Sequence, residues 1–290
     1  MKYLLLPLLT CTLLAQSLCA ADAVKSAGSF KGTAGIQLYS LRDQFKSDVP
    51  GTLDKVKAFG FTQVETAGTY GIEPEKFVAM LKERGLTAVS GHFGYEAMEK
   101  DLSAVIKEAK ALGVKYAACA WIRHDVGNFG EADVKRAAAN FNKWGEAFKR
   151  EGITFAYHPH GYEFRPISEG AEETLFDLLA KETNPDSVSF EMDVFWVKHP
   201  GKDPAALLAK YPNRWRLMHL KDIRKGARTG IFTGQAPHTD DVVLGTGMID
   251  WPAVLAAAAK VGVEHYFIED ESPTVTDQIP QSLKYLESLK

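Results

Sequence analysis

Beyond residue 33 the chain repeats one pattern: a short apolar run, a polar turn, an amphipathic stretch and often a glycine before the next apolar run. Short apolar runs bounded by turn residues are typical of buried strands, and longer stretches with apolar residues three and four apart are typical of helices. The pattern predicts strands at residues 34–39, 61–66, 86–91, 114–120, from 153, 187–193, 215–220 and 264–269. It predicts helices at residues 51–59, 74–84, 95–112, 131–150, 170–181, from 203, 253–260 and 277–290.

The alternation of eight strands with eight helices favours one closed parallel barrel, a (β/α)8 TIM barrel of the α/β class, over an open doubly wound sheet. No glycine-rich dinucleotide or phosphate loop follows the first strand, as the open sheet would require. Five predicted helices end in a glycine that suits a left-handed cap, namely Gly60, Gly85, Gly113, Gly152 and Gly262. We therefore predict a single barrel over residues 34–290, with a long irregular segment at 224–248 lying over its functional face.

The first residues have the three regions of an export signal. Lys2 is followed by an apolar core at residues 4–14 that is too short to span a membrane, and then by small residues around position 20. We expect a signal peptide at residues 1–23, a flexible lead-in at 24–33, and a periplasmic or secreted protein. Cys11 and Cys19 leave with the signal, so that Cys119 remains without a partner for an internal disulfide.

Composition excludes some partners. The chain has 34 lysines and arginines against 37 acidic residues, a formal net charge of −3, and no long basic run. A nucleic-acid surface requires a clustered excess of basic side chains, so we predict no nucleic-acid partner. No apolar run after the signal is long enough to cross a membrane, and the oligomeric state stays open.

Ligand-type side chains stand at the ends of several predicted strands. The fifth strand ends in His158 and His160, which share a face because side chains two apart on a strand point the same way. Further candidates at strand ends or just beyond them are Glu65, His92, Glu163, Glu191, Asp193, His219, Lys221, Glu269 and Glu271. The ends of barrel strands meet at one mouth. Mixed nitrogen and oxygen ligands there suit Mn, Zn, Co, Ni or Fe better than Ca.

Each residue also has a plain structural interpretation. A single histidine near a strand end is more often hydrogen bonded than metal bound, and an acidic strand end can cap the next helix. The metal site is favoured because strands five to eight all end in ligand-type residues on matching faces.

Several segments are similar to the sugar phosphate isomerase/epimerase family, the xylose isomerase-like TIM barrels. The matching segments are residues 35–42 (GIQLYSLR), 60–65, 158–164 (HPHGYEF), 190–196 (FEMDVFW), 219–222 (HLKD), 244–251 (LGTGMIDW) and 268–269. Their order and spacing cover essentially the whole chain after the signal. The resemblance therefore supports the barrel and implies a metal-dependent enzyme acting on a small carbohydrate.

In that family the metal is held by Glu, Asp, His and Glu from strands five to eight. The resemblance assigns three of these positions to Asp193, His219 and Glu269, whereas His158 stands where the first Glu is expected, with Glu163 as a loop alternative. The family's epimerases use two metal-bound glutamates as opposing bases. With only Glu269 in place, an isomerase, a dehydratase or a β-eliminating lyase acting on a keto sugar or glycoside becomes as well supported as an epimerase.

The implied roles follow. Glu269 is the candidate base, Lys221 can stabilise developing negative charge, and a shifting oxygen can take its proton from His160, His92 or Glu163. The predicted substrate-binding residues are Tyr39, Glu65, His92, Trp121 and Trp196, and Phe93 offers a further flat face.

Two other functions are weighed against this enzyme. A non-catalytic carbohydrate-binding barrel would use the same aromatic faces without needing aligned ligands. The related endonuclease branch would need more metal ligands and a basic face, which the acidic balance of the chain does not provide.

Overall fold

The computed structural model describes residues 30–290, so the predicted signal peptide lies outside the described residues. The barrel strands are β1 (Ala34–Gln37), β2 (Gln63–Thr66), β3 (Thr87–His92), β4 (Tyr116–Cys119), β5 (Thr154–Tyr157), β6 (Val188–Asp193), β7 (Trp215–Leu220) and β10 (His265–Ile268), and β8 (Asp222–Ile223) pairs with β9 (Asp241–Val242) outside the barrel. The order around the closed barrel is β1-β10-β7-β6-β5-β4-β3-β2, with every barrel pair parallel. The predicted TIM barrel is confirmed.

Helices follow the strands and pack around them. They are α1 (Arg42–Ser47), α2 (Val49–Ala58), α3 (Pro74–Glu83), α4 (Tyr95–Leu112), α5 (Glu131–Arg150), α6 (Leu175–Glu182), α7 (Val194–Lys198), α8 (Pro204–Lys210), α9 (Trp251–Val261) and α10 (Val275–Ser288), with short 3₁₀ helices at Leu38–Leu41, Tyr162–Phe164 and His238–Asp240. Gly113 and Gly262 cap α4 and α9 in the left-handed region, at φ +71° and +79°, as the sequence predicts. None of the helices in residues 30–290 has the length and apolar character needed to span a membrane.

The core has two apolar layers because side chains alternate along each strand. The outward layer fills the space between strands and helices. The inward layer is small and consists of Val89, Tyr116, Ala118, Ala156, Leu217 and Phe267. Alternation carries the inward face two residues further, from Ala156 to His158, from Leu217 to His219 and from Phe267 to Glu269. The inward-facing polar groups at the carboxyl ends of the strands therefore lie directly above the inward apolar layer.

Some element boundaries differ from the prediction. The first strand ends at Gln37 because residues 38–41 turn into a 3₁₀ helix, in which the Gln37 side chain accepts a hydrogen bond from the Tyr39 backbone N–H. Helix α6 begins at Leu175, after a capping box between Thr174 and Asp177, and not at residue 170. Of the predicted lead-in, residues 30–33 are described, and Phe30 is buried with its ring 5.3 Å from that of Tyr266.

The predicted irregular segment at 224–248 lies over the barrel mouth. Strand β9, within the segment, pairs with β8, which immediately precedes the segment, and Arg224 pairs with Asp240 at 2.6 Å beside them. Residues 234–238 turn back over the carboxyl ends of the strands and line the cavity described below. The segment therefore forms part of the site's wall, as expected from its length and position.

Candidate active site and metal centre

A cavity of about 810 Å³ opens at the carboxyl ends of the strands. Its aromatic wall includes the predicted sugar-facing residues Tyr39, Phe93, Trp121 and Trp196. Its polar lining consists of Glu96, His92, His158, His160, Lys221, Gln235, His238, Asp241, Glu269 and Glu271. A cavity of this size accommodates a small molecule, and flat apolar faces beside polar groups suit a sugar ring.

The four predicted metal ligands converge at the floor of this cavity. His219 Nδ1 lies 3.1 Å from Glu269 Oε2 and 3.8 Å from Asp193 Oδ2. His158 Nε2 lies 3.7 Å from the same Asp193 oxygen. Ligand atoms of Asp193, His219 and Glu269 all fall within 4.8 Å of one another. The side chains that the sequence predicts on matching faces at the ends of strands five to eight therefore meet in space.

Two of these atoms have unused bonding capacity, which supports a metal at this point. His158 Nε2 and Asp193 Oδ2 are buried and have no hydrogen-bond partner among the described residues. Buried polar atoms are costly when unsatisfied, and a cation between them would satisfy both. Two imidazole nitrogens and two carboxylates match the donors that Zn and neighbouring transition metals take. The residues present fit such an ion.

A second group of ligand-type side chains lies one layer deeper in the barrel and shares two histidines with the predicted ligand set. It consists of His92, His158, Glu191 and His219. Glu191 is fully buried and accepts from His92 Nε2 at 2.8 Å. The sequence pattern predicts Glu191 at a strand end but assigns it no role, because the alternation along β6 shows which face the side chain is on but not its depth in the barrel.

Glu65 is also deeper than expected for a substrate-binding residue. Its carboxylate is fully buried, lies 2.6 Å from His219 Nε2 and 3.2 Å from His92 Nε2, and accepts from Gln37 Nε2 at 2.8 Å. These three neighbours all contact Oε2, whereas Oε1 is buried without a hydrogen-bond partner among the described residues, and Glu65 is not among the residues that line the cavity. We therefore give Glu65 no contact with a substrate.

Lys221 is a buried cation beside the candidate base. Its Nζ lies 2.6 Å from Glu271 Oε1, 3.5 Å from Glu269 Oε2 and 3.8 Å from Asp241 Oδ2. The Trp196 ring centroid is 5.5 Å from Nζ. Burial would lower the pKa of Lys221, but the three carboxylates outweigh it and raise that pKa well above the usual value. Lys221 therefore stays charged at the cavity wall.

The surroundings of Glu269 favour the ionised form of its carboxyl group. Burial would raise its pKa, but the charges of Lys221 and His219 outweigh burial and lower it well below the usual value. Glu269 is therefore ionised over the ordinary pH range, the state that both a ligand and a proton acceptor require.

The three candidate proton donors occupy different places. His92 lines the cavity; burial would lower its pKa, but Glu65 and Glu191 raise it to about 10. His160 lies between Trp121 and Trp196, with ring centroids 5.5 and 5.0 Å away. Burial lowers the pKa of His160 well below its usual value, which keeps this ring neutral.

Glu163 lies away from the cavity. The 3₁₀ turn after β5 directs it to the Tyr157 hydroxyl and the His160 backbone N–H. Tyr157 packs on the helix side of the barrel, with its ring 4.8 Å from that of Phe141 in α5. Because its carboxylate is held in that layer, we assign Glu163 neither a ligand nor a proton-transfer role.

Comparisons with known proteins agree with this geometry. An inosose dehydratase of Lacticaseibacillus casei is 23% identical over 269 residues, which cover 80% of this chain and 85% of that protein. A solved sugar phosphate isomerase/epimerase from Parabacteroides distasonis is 27% identical, with a TM-score of 0.72 over 93% of this chain and 98% of that one. An IolI protein solved with a zinc atom shares the fold at 13% identity and a TM-score of 0.67, over 89% of this chain and 98% of that one.

The family model described as the xylose isomerase-like TIM barrel matches residues 53–289, most of the chain. The resemblance inferred from short sequence segments is thereby confirmed. With its closed eight-stranded barrel and its ligand-lined mouth, the chain belongs to the family of xylose isomerase-like TIM barrels.

Proposed function

We propose that this protein is a metal-dependent lyase of the dehydratase type that acts on an uncharged carbohydrate bearing a keto group. It removes a proton next to the carbonyl and expels the oxygen on the next carbon as water or as an alcohol. Relatives named inosose dehydratase support this reaction class, because an inosose is a ring polyol with one ketone. An isomerase or epimerase that uses the same proton abstraction is the alternative.

The observation that carries the proposal is the position of Glu269. Its carboxylate lines the cavity and lies between Lys221 Nζ, at 3.5 Å, and the candidate ligand His219, at 3.1 Å. The Glu269 carboxylate can therefore face the reacting carbon while the adjacent Lys221 ammonium group faces the reacting oxygen. Proton abstraction next to a carbonyl requires this pairing of a base with a charge stabiliser.

His158, Asp193, His219 and Glu269 would hold the divalent ion. When bound, such an ion acts as a Lewis acid that polarises a substrate oxygen. Mn, Zn, Co, Ni and Fe all suit the donor set.

The side chains supply the proton transfers. Glu269 accepts the proton from the carbon beside the carbonyl, and the electron pair of that C–H bond forms the double bond of an enolate. Lys221 stabilises the charge on the enolate oxygen. The pair then returns to form a conjugated double bond as the β-oxygen leaves with a proton from His92, because the neutral His160 ring is too weak an acid to supply it. The products are an unsaturated ketone and water or an alcohol.

A two-base epimerase is less well supported by the lining of the cavity. Such a reaction needs a second carboxylate across the substrate from Glu269. Strand β5 presents His158 to the cavity at the position where the family carries a glutamate. An imidazole that binds the metal through one nitrogen and faces Glu191 with the other provides no second base for abstraction from carbon.

The charges at the cavity argue for a neutral substrate. Among the lining residues in the described chain, Lys221 is the one lysine or arginine, and it is paired with carboxylates. Glu96, Asp241, Glu269 and Glu271 face the same space. A phosphate group is usually met by arginine, lysine or several backbone N–H groups. The proposed export of the protein also favours a free or oxidised sugar or a keto glycoside over a phosphorylated sugar.

The test is to reconstitute the purified protein separately with each candidate metal and offer a ring polyol ketone, a keto sugar, a keto glycoside and a sugar phosphate. We expect a conjugated ketone by ultraviolet absorbance and loss of water or alcohol by mass spectrometry. Glu269→Gln should abolish this product, whereas Glu264→Gln, at the opposite end of the barrel, should not. In deuterated water, recovery of a stereoisomer of the substrate that carries solvent deuterium, with no elimination product, would favour the epimerase. Saturable sugar binding without turnover, unaffected by chelator, would replace the enzyme with a binding protein.

A further inference from the structure

Two fully buried carboxylates lie directly beneath the candidate metal ligands. Glu65 lies one residue before the end of β2, and Glu191 lies two residues before Asp193 in β6. Removing a carboxylate from water is costly unless it is paired and hydrogen bonded. The reaction proposed above requires neither residue to touch the substrate, so their burial at this depth needs another explanation.

The two carboxylates face one ring nitrogen of each candidate ligand histidine, and Glu191 Oε1 also lies 3.3 Å from Nε2 of His219. Glu65 Oε2 lies 2.6 Å from Nε2 of His219, whose Nδ1 faces Glu269 and Asp193. Glu191 Oε2 lies 3.1 Å from Nδ1 of His158, whose Nε2 faces Asp193. The two histidines thus present opposite nitrogens to the ligand set and opposite nitrogens to the buried carboxylates.

We infer that Glu65 and Glu191 are positioning residues that fix the tautomers of His219 and His158. An ionised carboxylate only accepts hydrogen bonds, so the ring nitrogen facing it must carry the hydrogen. The other nitrogen faces the carboxylates of the ligand set, and a bound divalent ion would take the place of the hydrogen on that nitrogen. His219 therefore binds a divalent transition metal through Nδ1 and His158 binds it through Nε2. A carboxylate behind a ligating histidine also raises the basicity of that ligand and fixes the orientation of its ring.

Neighbouring donors hold the two carboxylates in place. His92 Nε2 lies between them, 2.8 Å from Glu191 Oε2 and 3.2 Å from Glu65 Oε2. Gln37 donates to Glu65 Oε2 at 2.8 Å from the adjacent strand β1. Because these donors come from different strands of a closed barrel, neither carboxylate can turn away without breaking a buried hydrogen bond.

The direct test uses the wild-type protein loaded with zinc and labelled with ¹⁵N at histidine. Long-range proton–nitrogen correlation spectra report which ring nitrogen is protonated and which is metal bound. The signals are assigned by their loss in His219→Gln and His158→Gln. We expect His219 to be bound through Nδ1 and His158 through Nε2. Coordination of both residues through the same nitrogen, or of His219 through Nε2, would overturn the inference.

A second test measures zinc affinity by competition with a chromophoric chelator. Glu65→Gln and Glu191→Gln remove the charge at nearly constant shape, and each should weaken zinc binding by roughly 10- to 100-fold. Glu264→Gln removes a carboxylate that accepts from Tyr116 at the other end of the barrel, and it should bind zinc like the wild type. Affinities of the first two variants within about twofold of wild type would overturn the inference. If either variant fails to fold, the spectra of the wild type decide.

The inference rests on the metal site of the proposed function and not on its reaction. Neither test uses a substrate, so the two proposals can fail separately. A protein that binds zinc through the expected nitrogens but transforms no keto sugar would retain this inference and remove the proposed reaction. A wild type that binds none of the five candidate metals would overturn both.

Discussion

His158 Nε2 and Asp193 Oδ2 lie 3.7 Å apart, and neither atom has a hydrogen-bond partner among the described residues. Both side chains are buried, so water does not replace the missing partners at the protein surface. A cation bound between the imidazole nitrogen of His158 and the carboxylate oxygen of Asp193 would satisfy both atoms at once. This relationship leads to the first prediction.

The first prediction is that the purified protein carries a single transition-metal ion and that His219→Ala loses it. His219 contributes Nδ1 to the ligand set, so its loss should weaken metal binding by more than the roughly 10- to 100-fold typical of losing an outer partner. Elemental mass spectrometry of the two proteins side by side measures this.

The matched control is His265→Ala, which removes an imidazole at the opposite end of the barrel, where the ring lies 5.6 Å from Tyr116. That variant should keep the ion. A wild type without metal even after reconstitution would contradict the proposed site.

The second prediction concerns His158, the proposed metal ligand that follows β5. His158→Glu would exchange a nitrogen ligand for an oxygen ligand and add a negative charge. Because oxygen donors suit Mn better than imidazole does, the affinity for Mn relative to Zn should rise on the order of tenfold. Competition titrations with both metals on the wild type and the variant measure the ratio.

His158→Gln serves as the control for this change because it removes the imidazole without adding charge. It should lower the affinity for both metals. An unchanged Mn-to-Zn ratio in His158→Glu would show that residue 158 is not a ligand.

The convergence of these ligands was predictable because it follows from local rules. The alternation of apolar and polar residues predicts the strands, glycines such as Gly113 mark the helix ends, and the closed barrel brings strand ends together. Asp193, His219 and Glu269 were therefore placed near one another without knowledge of any distance.

Depth and turn geometry were not predictable in the same way. Glu65 and Glu191 have the inward parity of a site residue, but their partners His92, His158 and His219 come from other strands. Only the register between strands shows that they lie below the floor. Glu163 follows β5 by several residues, and the 3₁₀ turn that rotates it towards Tyr157 has no strong signal in the sequence.

The third prediction is that Lys221→Met lowers kcat by about 10²- to 10³-fold at unchanged metal content. The substitution removes the cation 3.5 Å from Glu269, and loss of one charge-stabilising donor typically has an effect of about this size. Steady-state kinetics at saturating metal, with metal content measured on the same sample, check it.

Lys221→Arg keeps the charge and should recover part of the lost rate. A fall of less than about tenfold in Lys221→Met would remove Lys221 from the mechanism.

The fourth prediction concerns the residue next to Lys221. Asp222 is buried and accepts hydrogen bonds from the backbone N–H groups of Gly245, Gly247 and Ile249 and from Trp251 Nε1. Asp222→Ala leaves the buried donors of Ile249 and Trp251 without an acceptor, at about 1–3 kcal/mol each, and also removes the partly buried hydrogen bonds from Gly245 and Gly247. The free energy of unfolding should therefore fall by at least about 3 kcal/mol, measured by urea denaturation.

Asp250→Ala is the control because Asp250 is an exposed helix cap that accepts from Ala253 N–H at 3.2 Å. Its loss should cost about 1 kcal/mol. Equal losses in the two variants would show that Asp222 does not organise the segment that follows β9.

The fifth prediction is a pH dependence of stability caused by Glu163. Burial raises the pKa of Glu163 from 4.5 to about 7. The folded protein therefore holds a proton that the unfolded chain has already released between these pH values, so stability falls as pH rises from 4.5 to 7 and stays level above. With 1.36 kcal/mol per pKa unit, the contribution is about 3 kcal/mol.

Glu163→Gln keeps a neutral side chain at every pH, so it should be more stable relative to wild type at pH 8 than at pH 5 by about that amount. The measurement is urea unfolding of the metal-free proteins at the two pH values. Glu75→Gln, an exposed residue of α3, is the matched control and should follow the wild type. Because Glu163 lies in the helix layer and not at the cavity, metal affinity in Glu163→Gln should remain that of wild type. A loss of metal from this variant would instead restore Glu163 as the loop alternative to His158.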